Sequence, residues 1–206
     1  MPSRQGTAGG KTKIAFGTDI GGVAASASGA KADKEDIYKA AIEGFYPFLI
    51  LFHLEHGLDN FHVISRTKTG SWWSEYTKRG RTHKVEAWVV RFVKSVGILD
   101  YMPDRNLRLT TERSGPRGKG QAANEAGITH FVDDSMECLW SVMKDRHNAL
   151  ESIISNKGFL VYFANQSSPG DAAWLPHDKE CREHVWITNS WRQIEPSTVE
   201  STCSPV

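Results

Sequence analysis

Six short apolar runs, each broken off by a polar or turn residue and spaced by helical patterning, constrain this chain more than any other feature. They are "KIAFGTDI" from residue 13, "NFHVISRT" from 60, "NLRLTTE" from 106, "ITHFVDD" from 128, "GFLVYFAN" from 158 and "HVWITNSW" from 184. Runs of this length bounded by Gly, Asn, Asp or Ser are strand signals. Between them lie helical patterns. "KEDIYKAAIEG" has apolar positions at helical spacing behind an acidic start, and "YPFLILFHLEHG" puts Pro47 in a first turn and Gly57 at an end. From Trp72 to Gly97 the spacing predicts helix, with Val85, Trp88, Val89, Phe92, Val93 and Val96 on one side. "RSGPRGKG" reads as a loop, "QAANEAG" as a short helix stopped by Gly127, and "SMECLWSVMKDRHNALESI" as an amphipathic helix. Strands alternating with helices build βαβ units. The expectation is an α/β fold, Rossmann-like, with a mostly parallel sheet covered by helices on both faces.

A length of 206 residues with 39% hydrophobic and 24% charged residues suits one such domain, over 13–195, between tails at 1–12 and 196–206. Lys and Arg number 25 against 24 Asp and Glu, which excludes a general nucleic-acid coat or an acidic tail and sends the search for partners to local features. Cys138, Cys181 and Cys203 make no CxxC and no even framework, so a reducing, intracellular and cytoplasmic setting fits. The basic N-terminus is followed by too short an apolar run for a signal peptide, and no stretch has the length of a membrane span.

The polar residues that stop the runs carry the chemistry. Asp is disfavoured in strands and almost never fully buried unless paired, so Asp19 at the end of "KIAFGTD" asks for a partner. In an open parallel sheet, ligands bind beyond the carboxyl ends of the strands. That rule gathers Asp19, Ser65 with its neighbour Arg66, and the adjacent Asp133 and Asp134; Lys119, in the loop before a helix, can reach the same crevice. Taken singly, each has a plainer reading: a turn acid for Asp19, a strand-end cap for Ser65, a solvated charge for Lys119, and an N-cap of the next helix for Asp134.

Taken together and in order, "DIGGV", "VISRTKTG" and "KGQAANEAGITHFVDDSMECL" resemble the motifs of the haloacid dehalogenase-like (HAD) hydrolase superfamily, and more narrowly a capless branch with a DIGGV first motif. The resemblance covers roughly residues 13–165. It implies that Asp19 attacks a phosphoryl group to give an aspartyl-phosphate that water then hydrolyses. It implies Mg²⁺ as cofactor, held by Asp19, Asp133, Asp134 and the backbone carbonyl of Gly21. Ser65, Arg66, Lys119 and the backbone of Gly21 and Gly22 would contact the phosphate, with Lys119 also positioning Asp19. In one place the chain departs from the pattern. Most phosphatases of that superfamily carry a second Asp two residues after the nucleophile, as a general acid, and here that position is Gly21. Three consequences remain open: a substrate with a good leaving group, a proton from another residue, with His62, His83 and His130 nearby in sequence, or a binding or assembly subunit without turnover.

Spacings of 46 residues from Asp19 to Ser65 and 54 from Ser65 to Lys119 leave no room for a large cap domain. An open crevice suits a large phosphorylated substrate, a protein or a nucleic acid, or a protein partner. "KRGRTHK" at 78–84, with Trp72, Trp73 and Tyr76, has the basic and aromatic make-up of a stacking nucleic-acid surface, and a solvated helix junction is the simpler reading. Cys181 near His177 and His184 lacks four-ligand metal spacing. The long loop "NQSSPGDAAWLPHDKECRE" could cover a small substrate.

Overall fold

The computed structural model describes residues 14–26, 41–67, 73–78, 81–86, 92–111, 115–144, 158–164 and 185–194. The segment 34–40, the loop 166–183 with Cys181 and His177, His184, Trp72, Trp88 and Trp174, and both expected tails, 1–12 and 196–206, lie outside them. In chain order come β1 (Phe16–Thr18), α1 (Phe45–His56), β2 (Phe61–Thr67), β3 (Trp73–Lys78), β4 (Arg81–Glu86), α2 (Ile98–Tyr101), β5 (Leu107–Thr111), α3 (Gly115–Ala126), β6 (His130–Asp133), α4 (Met136–Lys144), β7 (Leu160–Phe163) and β8 (Val185–Thr188). Six of the eight strands form one sheet in the order β5-β2-β1-β6-β7-β8, and every neighbouring pair is parallel. Numbered by their own succession, these strands run 3-2-1-4-5-6, the order of a doubly wound Rossmann-like sheet, so the winding reverses between β1 and β6.

Alternation along the strands sorts the core into two layers. Phe16, Phe61, Val63, Val132 and Val161 face one side, where α1 lays Phe45, Phe48, Leu49 and Phe52 at helical spacing against them with Trp191. The Phe16 ring packs on Phe48 and Phe52 at 4.8 and 5.5 Å, and the Trp191 indole N–H donates to the Val23 carbonyl at 2.7 Å. Ile64, Phe131, Leu160 and Tyr162 face the other side, under Ala122 and Ala123 of α3 and Leu139 and Val142 of α4. Helices therefore cover both faces.

Three expectations fail locally, the first at the described end of "KEDIYKAAIEG", where residues 41–44 are not helical and Ala41 bridges Ala25. Residues 73–78 and 81–86 are not helical: β3 and β4 pair antiparallel, Lys78 against Arg81, with two residues between them in the sequence. A two-residue Arg-Gly link between segments rich in Trp, Tyr, Thr and Val is a hairpin signal, and it prevails over the apolar stripe that begins at Val85. The later part of that stripe is helical over 92–95, with Phe92 and Val93 buried. The segment 115–120 is not a loop but the first half of α3, with Pro116 in its first turn. Its glycines argue against helix on propensity, yet a Cβ at Gly120 would lie 2.6 Å from Ser141 Oγ and 2.7 Å from the Ser141 carbonyl oxygen, so close packing on α4 requires glycine there.

His130 opens β6 with its ring inside the apolar layer, 4.6 Å from Phe159 edge-on and 6.5 Å from Phe16. Burial, reinforced by His56, holds its pKa down at about 3, against an ordinary 6.5. A histidine kept neutral in the fold takes up a proton first in the unfolded chain, so the stability it contributes is present above pH 6.5 and is lost as pH falls toward 3. We expect His130→Phe to weaken this acid lability: between pH 7 and pH 4 the wild type should lose on the order of 2–3 kcal/mol more unfolding free energy, measured in urea, than the variant. Parallel pH profiles would refute it.

Candidate functional site

Register brings the two acids together at the reversal point. Thr18 is level with Val132 on β6, so Asp19, the first residue past β1, is level with Asp133, and its N–H extends the pairing by donating to the Val132 carbonyl at 3.0 Å. Both lie on the α3/α4 side. Gly17, two residues before Asp19, packs there so closely that a Cβ would meet the Phe131 ring at 2.7 Å, and Phe131 is two residues before Asp133.

Lys119 reaches them from α3. Its Nζ stands 2.8 Å from Asp19 Oδ2 and 2.7 Å from Asp133 Oδ2, with the lysine and Asp133 buried and Asp19 nearly so. The close contact of Gly120 with Ser141 seats that turn of α3 against α4 and so places the lysine. The remaining oxygen of Asp133, Oδ1, accepts from the Ser135 N–H at 2.9 Å at the start of α4. Asp134 completes the cluster, offering a carboxylate oxygen such that one from each of Asp19, Asp133 and Asp134 lies within 4.8 Å of the others. Asp19 Oδ1 is buried and has no hydrogen-bond partner.

Asp19 and Asp133 share the Lys119 ammonium, with the Asp134 carboxylate beside them, and the electrostatics register the crowding of negative charge. Burial pushes the Asp133 carboxyl up to about 7; Lys119 pulls it down, and Asp19 and Asp134 push it further up. Burial alone would lower the Lys119 pKa, but Asp133 and Asp19 outweigh it and hold the ammonium charged well beyond the ordinary lysine range. Burial, then Asp133, raises the Cys138 thiol to about 12, so this cysteine is a small apolar packing residue, not a nucleophile. Three carboxylates with one oxygen of each within 4.8 Å of the others offer the oxygen donors that a hard divalent cation takes. The donor set therefore suits the Mg²⁺ expected from the sequence.

The other expected residues sit less directly. β2 runs two residues past Ser65, which is buried and paired in register with Leu109. Alternation puts Ser65 on the side of Val63, opposite the carboxylates, and among the described residues no hydrogen bond joins it to Asp19, Asp133 or Lys119. Arg66 follows it and is exposed. Gly22 takes the positive φ that a tight turn requires, at 80°, but its N–H donates to the Ala25 carbonyl at 2.8 Å, closing the turn, and Gly21 bridges Ala25. His62 and His130 are both remote from the crevice. His62 lines a cavity of about 250 Å³ with Asn106 and Arg105 at the amino ends of the strands, and His130 lies three residues, about 10 Å, before Asp133 and on the opposite face. Neither supplies the proton that Gly21 cannot.

Sequence reasoning missed Gly120 and Ser135. The serine had a signal, a capping residue directly before an apolar helical run; the glycine had none, because its role depends on a helix 20 residues away. Among the described residues no helix is long and apolar enough to cross a membrane. Comparison of the chain with protein-family models, with curated proteins and with solved structures finds no match.

Proposed function

We propose that this crevice is a Mg²⁺-dependent phosphoryl-transfer site of the phosphatase type, of the kind found in the HAD-like hydrolases that the sequence resembles. The observation that carries the reading is the buried, unpartnered Asp19 Oδ1 at the reversal point of the sheet, beside a lysine that holds the other oxygen of the same carboxylate. Asp19, Asp133 and Asp134, with the Gly21 carbonyl, would hold the cation, which supplies positive charge against a phosphate approaching an acidic pocket. Lys119 fixes Asp19 through Oδ2 and leaves the Oδ1 lone pairs uncommitted to attack phosphorus. The new O–P bond forms as the bond to the leaving oxygen breaks, that oxygen keeping the electron pair. Water then cleaves the aspartyl-phosphate and restores the carboxylate. Arg66, exposed at the same end of the sheet, and the backbone at Gly21 are the proposed phosphate contacts, whereas Ser65 on the other face and the Gly22 N–H that closes the turn are not.

Gly21 sets the substrate preference. General acid catalysis contributes roughly 10²–10⁴ in rate, so esters whose leaving oxygen must be protonated should lag behind aryl or acyl phosphates by about 10²-fold or more. The test compares p-nitrophenyl phosphate, acetyl phosphate and a simple alkyl phosphate, each with Mg²⁺ and with a chelator. Chelator-sensitive turnover of the first two supports the proposal. A second reading, an assembly or binding subunit that keeps the cation without turnover, is favoured by the missing acid at Gly21; it predicts a rise in melting temperature with Mg²⁺ and no hydrolysis of any of the three.

A further inference from the structure

The hairpin of β3 and β4 is inserted directly after the carboxyl end of β2, the same end of the sheet at which Asp19 and Asp133 lie. Six residue steps separate Thr67 from Trp73, so the hairpin starts within about 20 Å of the end of β2. Between Arg66 and Lys84 the sequence holds Arg66, Lys68, Lys78, Arg79, Arg81 and Lys84 against a single acid, Glu75, in a chain whose net charge is only +1. Positive charge is concentrated here.

Register then places three of these six cations, Lys78 and Arg81 on one face of the hairpin and Lys84 on the other. Tyr76 pairs with His83 and Lys78 with Arg81, and with Ser74 and Val85 these make one face, which carries cations and aromatic rings and no acid. Glu75 pairs with Lys84 and Trp73 with Glu86, so both acids of the hairpin fall on the other face. Same-face positions along a strand recur about every 7 Å. A cation pair followed by an aromatic pair at that interval matches a strand of alternating phosphates and bases better than an isolated phosphate group on a folded protein, for which no aromatic platform is needed.

We propose that the Tyr76/His83 and Lys78/Arg81 face of the hairpin binds single-stranded nucleic acid, and that a phosphate of that strand is the substrate of the neighbouring site. The second half rests on the phosphoryl-transfer reading above; the first does not. The test measures fluorescence anisotropy of a labelled 12-nucleotide single strand, with and without a terminal phosphate, on the full chain carrying Asp19→Asn, over a series of salt concentrations. Binding should weaken with salt at a slope of about −0.7 per phosphate contacted. The pair Lys78→Ala and Arg81→Ala should lose at least about tenfold, and Tyr76→Ala a comparable factor, whereas Lys84→Ala on the opposite face should lose less than about twofold.

No binding at low salt, or equal losses from Lys84→Ala and from the Lys78 and Arg81 pair in variants with unchanged melting temperature, overturns the proposal. Preference for an acidic phosphopeptide over the oligonucleotide overturns it as well. If the face binds the strand but the wild-type chain hydrolyses neither the strand's phosphate nor a small aryl phosphate, the catalytic reading fails alone. If small aryl phosphates turn over and no strand binds, the nucleic-acid inference fails alone.

Discussion

Asp19→Asn should lower Mg²⁺-dependent hydrolysis of p-nitrophenyl phosphate by at least about 10³-fold while moving the unfolding free energy by less than about 1 kcal/mol. The two halves of this expectation have different causes. An amide oxygen carries no formal charge and cannot form the acyl phosphate, so the nucleophilic route is lost outright. The fold, in contrast, keeps its strongest contact in the site: Lys119 stays 2.7 Å from Asp133 when its bond to Asp19 is weakened. Removing the charge of Asp19 also removes one of the groups that raise the Asp133 carboxyl, so that carboxyl should titrate below its present value of about 7. Steady-state kinetics with urea unfolding on the same preparation checks both halves. Retained turnover would remove Asp19 as nucleophile, and a collapse of stability with lost activity would reduce it to a structural acid.

The acids of this site were legible in the sequence because they obey a rule that spans the whole fold. Each of Asp19 and Asp133 ends a short apolar run, and parallel strands that end together deliver such residues to one place however far apart they are in the chain. Ser65 was read by the same rule and obeys it only in part. Its strand continues to Thr67, so alternation turns it to the other side of the sheet; a polar residue inside a strand does not mark the strand's end. The start of α3 was hidden for a different reason. Three glycines in six residues count against a helix locally, and only the contact with Ser141, which belongs to another helix, explains why one of them is required. The hairpin was hidden by overlap: its alternating pattern and Arg-Gly link run straight into a helical stripe, and the longer period masked the shorter one. What chain-local signals could give was the mostly parallel sheet with helices on both faces and the acids at its strand ends. What depends on contacts between elements, the seating of Lys119 and the side on which Ser65 lies, needed the fold.

Lys119→Met tests the electrostatic core of the site. The substitution keeps an unbranched apolar stem of similar size and removes the only cation among the described residues of the cluster, leaving Asp19, Asp133 and Asp134 to face one another. Breaking a buried ion pair from one side typically costs about 3–5 kcal/mol, because the abandoned charge remains in a poor solvent, and we expect a loss of that size at pH 8. The pH dependence fixes the cause. With the lysine gone, the Asp133 carboxyl must rise above its present value of about 7, while in the unfolded chain it titrates near 3.8. A carboxyl whose folded pKa is raised binds its proton more tightly in the fold, so stability is greatest at low pH and is lost as pH climbs from 3.8 through the folded value. The raised pKa of Lys119 in the wild type contributes stability that is fully present below its ordinary 10.5 and is therefore constant between pH 5 and pH 8. The gap between variant and wild type in urea unfolding should therefore widen from pH 5 to pH 8. Mg²⁺ should raise the variant's stability at pH 8 by about 2.7 kcal/mol at a hundredfold excess over its dissociation constant, and should narrow the gap in so far as it binds the variant more tightly than the wild type, since an ion held by the three acids replaces the charge that was removed. A gap that is independent of pH would mean that Lys119 supports the fold through packing alone, and a failure of Mg²⁺ to stabilise either protein would mean that the three carboxylates do not share an ion.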